Sequence, residues 1–441
     1  MTDTIVVREY ARLTTDASTI NSLDAACISQ SAFDWLCGSI PTTDAHGSSI
    51  GRMEGRGSLR LGNYVGCLET PCGTRLEILP KHYDGEDCTA QSRVLLRRMI
   101  QIALDLPARE AGEADLNLFD APISEWVIGK FLTVLKQLVK RGLRFNYQRV
   151  EDEQVFMRGQ LNVAKQLRQP PSRRHQFQIR HDIFSANLPE NRLIKSALEN
   201  VCKATQDALH WRLGHELRIL LHEVPSSQNV WSDFTYWRSS RLLAGYQAIK
   251  PWCELILRQK VPLALSQDWR GISLLFPMEK LFERYVANCL RRQLSSETSI
   301  KFQARQHYLC EHDGGRIFRL EPDFLVTHSA RQWILDTKWK RIDCSKRKEN
   351  YGLDQSDFYQ LFAYGHKYLD ERSVGELVLI YPKTASFPRS LPPFDLPRQL
   401  RLWVLPFDLE GESLDGVEMT MLPLSGSPVR TASQLGAVLH I

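Results

Sequence analysis

The sequence predicts a multidomain α+β protein: a β-rich N-terminal domain, a mainly helical middle region, and a C-terminal α/β domain on a mixed sheet. Three observations carry this reading. The chain has 441 residues, more than one hydrophobic core usually serves. Its apolar periodicity changes from strand-like to helical near residue 91, then to alternating helix and strand near residue 266. Hydrophobic residues make up 43% and charged residues 24%, a globular balance that sets aside fibrous, disordered and membrane-embedded classes.

In the first domain, residues 1–90, the runs TIVVREYARL, SLRLGNYVGCLE and TRLEILPKH favour strands, the last two flanking the turn-like TPCG. HGSSIGRMEGRG, polar and glycine-rich, reads as a mobile loop or tight hairpin. In residues 91–265, SRVLLRRMIQIALDL and ISEWVIGKFLTVLKQLVKRGL place apolar side chains every three or four positions, as helices do. Two more helices follow in NLPENRLIKSALENVCKATQDAL, opened by Asn and Pro, and in SSRLLAGYQAIKPWCELIL. The proline- and arginine-rich LRQPPSRRHQFQIR reads as an exposed basic loop.

Residues 266–441 run as the helix FPMEKLFERYVANCLRRQL, then the strands IKFQARQHYL, IFRLEPDFLVT and QWILDTKWK. The helix DQSDFYQLFAYGHKYL and the strand GELVLIYP follow. That order gives an α/β unit with a mixed sheet. FPRSLPPFDLP reads as a connection between strands.

Several function classes are set aside. No run reaches the roughly 20 apolar residues of a membrane helix, and MTDTIVVREY lacks a secretory profile; a cytoplasmic protein without membrane contact is expected. Ten cysteines occur without a CxxC pair, as reduced thiols do. The net charge of +5 permits nucleic-acid binding without indicating it. His307, Cys310 and His312 lack a fourth zinc ligand at a usual spacing, and Gly47–Gly51 matches GxSxG without the strand and helix that a nucleophile elbow requires. No GxxxxGK[ST] phosphate loop occurs.

The chemistry lies in LEPDFLVTHSARQWILDTKWK. Centring a turn between Ser329 and Ala330 sets Asp323 opposite Asp336, with Cβ atoms about 5 Å apart in an antiparallel pair. Lys338 shares that face, two residues on. Adjacent carboxylates repel unless a cation lies between them, and Mg²⁺ prefers such oxygen donors while retaining water. Phosphodiester hydrolysis follows as the expected reaction. The flanks are apolar at both parities, as in a central strand pair, so these charges are not an ordinary solvated face. The basic run KWKRIDCSKRKEN reads equally as a phosphate-holding segment or a solvated loop.

Pro322-Asp323 followed by Asp336-Thr337-Lys338 resembles the PD-(D/E)xK nuclease superfamily, with Asp in place of the commoner Glu. That resemblance implies a PD-(D/E)xK nuclease domain, a metal-side role for Glu283 on the preceding helix, and a QxxxY element of the RecB-like branch in Gln360 and Tyr364. LFPMEKLFERYV, PDF, ILDTKWK and SDFYQLFAYGHKY together resemble the McrC family of modification-dependent restriction systems. VGCLETPCGTRLEILPKH, FMRGQLN and FSANLPENRLIK extend the likeness over Leu59 to Pro382.

The family resemblance implies a Mg²⁺-dependent endonuclease subunit, with Mn²⁺ as the alternative metal, held by Asp323, Asp336 and Glu283. It also implies DNA carrying modified cytosine as substrate, and a hexameric, McrB-like AAA+ GTPase as partner, which uses the GTP. The N-terminal domain would dock on that ring and stimulate it, with the 59–82 hairpin as the expected contact. Two other readings stand beside this one. A RecB-like repair nuclease would cut from DNA ends without GTP, and an adaptor with an idle nuclease fold would only regulate its partner.

Overall fold

Trp333, Ile334, Leu335, Asp336 and Thr337 are all buried in the strand Arg331–Thr337, which a strand manages only inside a sheet covered on both faces. This strand is third in a seven-stranded sheet. Thr298–Phe302, Phe324–His328 and Arg331–Thr337 run antiparallel in sequence order, and Gly375–Pro382 then Leu400–Asp408 add parallel to Arg331–Thr337. Phe394–Leu396 and Ser413–Leu414 pair antiparallel to Leu400–Asp408. The expected mixed sheet is therefore present. The helix Gln355–Tyr368 supplies the crossover between the first parallel pair, and side chains such as Leu361, Leu377, Leu379 and Leu402 form the core beneath it. Gly365 lets this helix sit close to the sheet: a Cβ there would lie 2.9 Å from Leu400 Cδ1.

The computed structural model describes residues 4–39, 50–55, 57–82, 89–106, 121–237, 244–257, 274–295, 297–329, 331–369, 375–416, 420 and 422–423. These fall into two compact units. One takes its residues from Met1–Cys67, Cys72–Asp120 and Leu275–Ile441; the other from Leu68–Pro71 and Ala121–Leu274.

In the first unit, Thr4–Arg8, Arg75–Leu79, Tyr64–Glu69 and Leu274–Pro277 make a four-stranded sheet in that order, and Ala25–Cys27, Arg12–Thr14, Ser58–Leu61 and Gly51–Gly55 make another. Gly51–Gly55 and Ser58–Leu61 pair as a hairpin, the second of the two forms expected for HGSSIGRMEGRG, whose residues 46–49 and 56 lie outside the described residues. The helix Gln30–Ser39, not read from the sequence, interrupts the strands.

The three-part division differs from these units. Residues 1–90 and 266–441, separate domains by sequence, are joined by contacts at long sequence separation. Met278 N–H donates to Asn63 O at 2.9 Å and Trp339 Nε1–H donates to buried Glu9 Oε1 at 2.8 Å; the helix Thr89–Ala103, expected within the middle region, instead packs on helix Met278–Gln293 in this same unit. The 59–82 segment is likewise part of this core, with Leu59, Val65 and Ile78 buried.

A second difference concerns strand lengths. IKFQARQHYL and IFRLEPDFLVT each break in two, so that His307–His312 and Gly315–Leu320 form a separate two-stranded hairpin. Pro322, without an N–H, cannot continue a ladder, and Gln303 turns the chain with φ 46.

The second unit is mainly helical, as expected for the middle of the chain. Helices Ile123–Arg141, Pro189–Ala204, Ala208–Leu220 and Ala244–Leu257 accompany the long hairpin of Asn146–Gln154 and Phe177–Ser185. Arg173 and Arg174 of the basic segment are exposed. Among the described residues, no helix is long and apolar enough to cross a membrane.

Leu335 is fully buried whereas Phe318 on the separate hairpin is 68% exposed. Leu335→Ala is expected to cost about 2–5 kcal/mol and Phe318→Ala within about 0.5 kcal/mol, read from urea denaturation midpoints. Equal costs would contradict the central placement of Arg331–Thr337.

Candidate active site

The hairpin register sets the first geometry. Phe324 lies opposite Leu335 and His328 opposite Arg331, so the same register carried one step further places Asp323 opposite Asp336. Asp323 Oδ2 accepts from Thr337 N–H at 2.8 Å and from Thr337 Oγ1–H at 2.6 Å. That double clamp orients the carboxylate at the point where the chain enters the strand.

Asp336, 2% exposed, forms an ion pair through Oδ2 with Lys338 Nζ at 2.6 Å. This oxygen accepts no aligned hydrogen bond. Lys338 Nζ also donates to Gln360 Oε1 at 3.1 Å. Gln360 Nε2–H donates to Tyr364 Oη at 2.7 Å, and the Tyr364 hydroxyl donates to Glu321 O at 3.1 Å. Gln360 and Tyr364 stand one turn apart on the helix Gln355–Tyr368, whose start is capped by Asp354 accepting from Ser356 N–H. Of the expected QxxxY pair, Gln360 meets the expected lysine directly and Tyr364 reaches it through Gln360.

Glu283 reaches the same region from the helix Met278–Gln293, which opens after Pro277. It is buried, accepts from Gln303 Nε2–H at 3.0 Å through Oε1, and pairs with Lys280 Nζ at 2.7 Å through Oε2. Its charge acts on both Asp323 and Asp336. All six residues singled out from the sequence therefore contribute to one neighbourhood, but Glu283 is tied to Lys280 and Gln303 rather than to either aspartate.

Asp357 was not foreseen. It is buried, with Oδ1 3.7 Å from Lys338 Nζ and Oδ2 3.1 Å from Lys340 Nζ, and it accepts from Tyr381 Oη–H at 3.4 Å. The signal for it was available: three residues before Gln360 on one helix, it shares the face that meets the lysine strand.

The electrostatics follow from burial. Asp323 is raised well above the usual carboxylate range by its own burial, then by the charges of Asp336 and Glu283. Burial likewise raises Asp336, against the pull of Lys338. For Lys338, burial disfavours the ammonium, yet Asp336, Asp357 and Asp323 outweigh it and hold the group protonated. Burial pushes the Tyr364 phenol up to about 12; it remains a neutral donor.

The donor chemistry fits a hard divalent cation. Asp336, buried, and Asp323, half-buried, are two carboxylates of raised proton affinity placed side by side, against a single lysine at 2.6 Å from Asp336 Oδ2. Among the described residues, no three His, Cys, Asp or Glu side chains are drawn together as a metal cage. Mg²⁺ ordinarily takes only one or two carboxylates from a protein and completes its shell with water and substrate oxygen.

Residues 59–382 match the family model for the McrBC 5-methylcytosine restriction system component. The chain is 23% identical over 265 residues to the type IV methyl-directed restriction enzyme EcoKMcrBC of Escherichia coli K12, covering 56% of this chain and 73% of that protein. Its fold is similar to a chain of the refined half-complex from the tetradecameric assembly of Thermococcus gammatolerans McrB AAA+ hexamers with bound McrC. That likeness has a TM-score of 0.66 at 17% identity, covering 92% of this chain and 95% of that one.

The raised Asp323 carboxyl has a stability consequence. In the metal-free protein the folded state keeps a proton that the unfolded chain releases once pH passes the ordinary Asp range. Stability therefore falls as pH rises and levels off only above the folded pKa. Thermal melts in chelator from pH 5 to pH 9 should show Asp323→Asn gaining on wild type as pH rises. A constant difference across that range would mean that this carboxyl is not held in the way described.

Proposed function

The chain belongs to the family of McrBC 5-methylcytosine restriction system components, and on that premise we propose that it is an endonuclease subunit hydrolysing DNA phosphodiesters with Mg²⁺, on a PD-(D/E)xK domain. The observation that carries this reading is the chain of contacts that runs from buried Asp336 through half-buried Lys338 and exposed Gln360 to buried Tyr364, with Asp323 clamped alongside. A solvated surface hairpin would have no reason to bury the Asp336 carboxylate against a lysine.

Asp323 and Asp336 would hold the metal, with Glu283 as a third acidic group close enough to bias them electrostatically. When bound, the metal supplies Lewis acidity at a phosphoryl oxygen and lowers the pKa of water. Lys338 is already protonated and aimed by Asp336, Asp357 and Gln360, so it reaches the transition state as a fixed positive charge needing no reorganisation. There it orients the attacking water or stabilises the added negative charge on the phosphoryl oxygens. Tyr364 and Gln360 keep the lysine from swinging away, and Thr337 holds Asp323 in register.

The same reading includes a partner. The sequence contains no phosphate loop, so GTP hydrolysis would belong to a McrB-like AAA+ hexamer, and modified cytosine would be recognised within that assembly. Residues 1–90 are proposed as the part that docks on the ring and stimulates it.

Cleavage of methylated and unmethylated plasmid with Mg²⁺, GTP and the candidate GTPase tests this function. Lys338→Ala is expected to lower cutting by about 100-fold or more, and Asp336→Ala to abolish methylation-dependent cutting. Undiminished cutting by either variant would place the chemistry elsewhere.

A further inference from the structure

At the edge of the candidate centre, one residue is held in a backbone conformation that long side chains rarely adopt. Gln303 follows the strand Thr298–Phe302 and sits at φ 46, in a region that glycine and asparagine enter more readily. Phe302 lies opposite Phe324, and Gln303 N–H carries that ladder one step further, donating to Asp323 O at 2.9 Å. Asp323 is therefore flanked at one level of the sheet by Gln303 and, on its other side, by Asp336.

Both ends of the Gln303 amide are engaged. Its Nε2–H donates to Glu283 Oε1 at 3.0 Å, and its Oε1 accepts from Arg305 Nη2–H at 3.3 Å. A carboxylate only accepts and a guanidinium only donates, so these partners fix which way round the amide sits. Glu283 is 8% exposed, and its second oxygen pairs with Lys280 Nζ at 2.7 Å. Lys280 belongs to the same helix as Glu283. Among the described residues, then, Gln303 is what ties this carboxylate to the sheet.

The turn by itself does not call for glutamine. Glycine would make it without strain, and asparagine, which tolerates positive φ better, is one methylene shorter. Glutamine joins a main chain that reaches Asp323 to an amide that reaches Glu283. Backbone strain of this kind persists where the surrounding structure imposes it, and it gathers at functional sites.

We propose that Gln303 is a positioning residue of the metal site: it ties the Asp323 main chain to the Glu283 carboxylate and so fixes where that negative charge stands relative to the cation. The proposal rests on the metal reading of Asp323 and Asp336 given above. Gln303 does not touch the metal; it acts through Glu283. With the amide removed, Glu283 keeps only Lys280 and can follow that lysine away from the sheet, and the site then attracts the cation less. Groups that orient the surroundings of a metal in this way commonly change its affinity by about 10- to 100-fold.

Calorimetric titration of Mn²⁺ and Mg²⁺ into the full chain, with thermal melts in chelator alongside, tests this. Wild type is compared with Gln303→Ala, Gln303→Gly, Glu283→Gln and the Glu283→Gln, Gln303→Ala double variant. Gln303 is exposed, so its two variants are expected to fold, and they decide the matter should Glu283→Gln fail to. Both lose the amide, but only alanine keeps a Cβ in the left-handed region. Gln303→Gly should therefore melt above Gln303→Ala, while the two lose metal affinity equally, by about tenfold. The double variant should bind metal no more weakly than Glu283→Gln alone.

A merely structural role would make metal affinity rank with melting temperature. That ranking would overturn the proposal, as would Gln303 variants that bind metal as wild type does, or a loss that persists undiminished in the Glu283→Gln background; each leaves the metal site itself in place. A wild type that binds no metal would overturn the metal reading, and this proposal with it.

Discussion

The rest of the site depends on holding the Lys338–Asp336 ion pair where the strand Arg331–Thr337 ends, with the carboxylate buried and the lysine half-buried. Removing two charges from water costs several kcal/mol each, and their attraction recovers that only with good geometry and further polar partners. Those partners are present: Gln360 and Asp357 for the lysine, and Thr337 for the neighbouring Asp323. Hydrophobic residues in the same positions would stabilise the fold at least as well. The charges are better explained by chemistry than by folding.

The architecture follows from this constraint. A hairpin fixes which residues oppose one another, so Asp323 and Asp336 meet wherever the turn is set. The crossover helix is brought close by Gly365 and capped by Asp354, and it carries Asp357, Gln360 and Tyr364 on one face. From the other side the helix Met278–Gln293 delivers Glu283 and Lys280. Three elements thus converge on two carboxylates and one lysine, and each is held by backbone geometry set some distance from the chemistry. Just past that strand, Lys338 turns towards the site and Trp339 towards Glu9.

Much of this site could be read in the sequence because its determinants are local. The 323–336 opposition needs only a turn position and a period of two, and the Gln360–Tyr364 pair needs only the helical period. The break in IFRLEPDFLVT is also encoded locally, in Pro322, but the apolar runs on either side read as continuous. What escaped was set by contacts far apart in the chain. Glu9 and Trp339, 330 residues apart, meet in one core, and no periodicity announces such a pairing. For the same reason residues 1–90 and 266–441 looked like separate domains although they share one compact unit. Asp357 was missed for a different reason: a carboxylate near the start of a helix is ordinarily a favourable end charge, and only its burial against Lys338 and Lys340 distinguishes it.

The central claim is that the Asp323–Asp336 carboxylate pair exists to hold a divalent cation next to a fixed lysine. Calorimetric titration of Mg²⁺ and Mn²⁺ into the wild-type chain and into an Asp323→Asn, Asp336→Asn double variant tests it most directly. Saturable binding by wild type that the double variant loses is the expected result. Equal binding by both, or none by wild type at millimolar metal with substrate DNA present, would contradict the account.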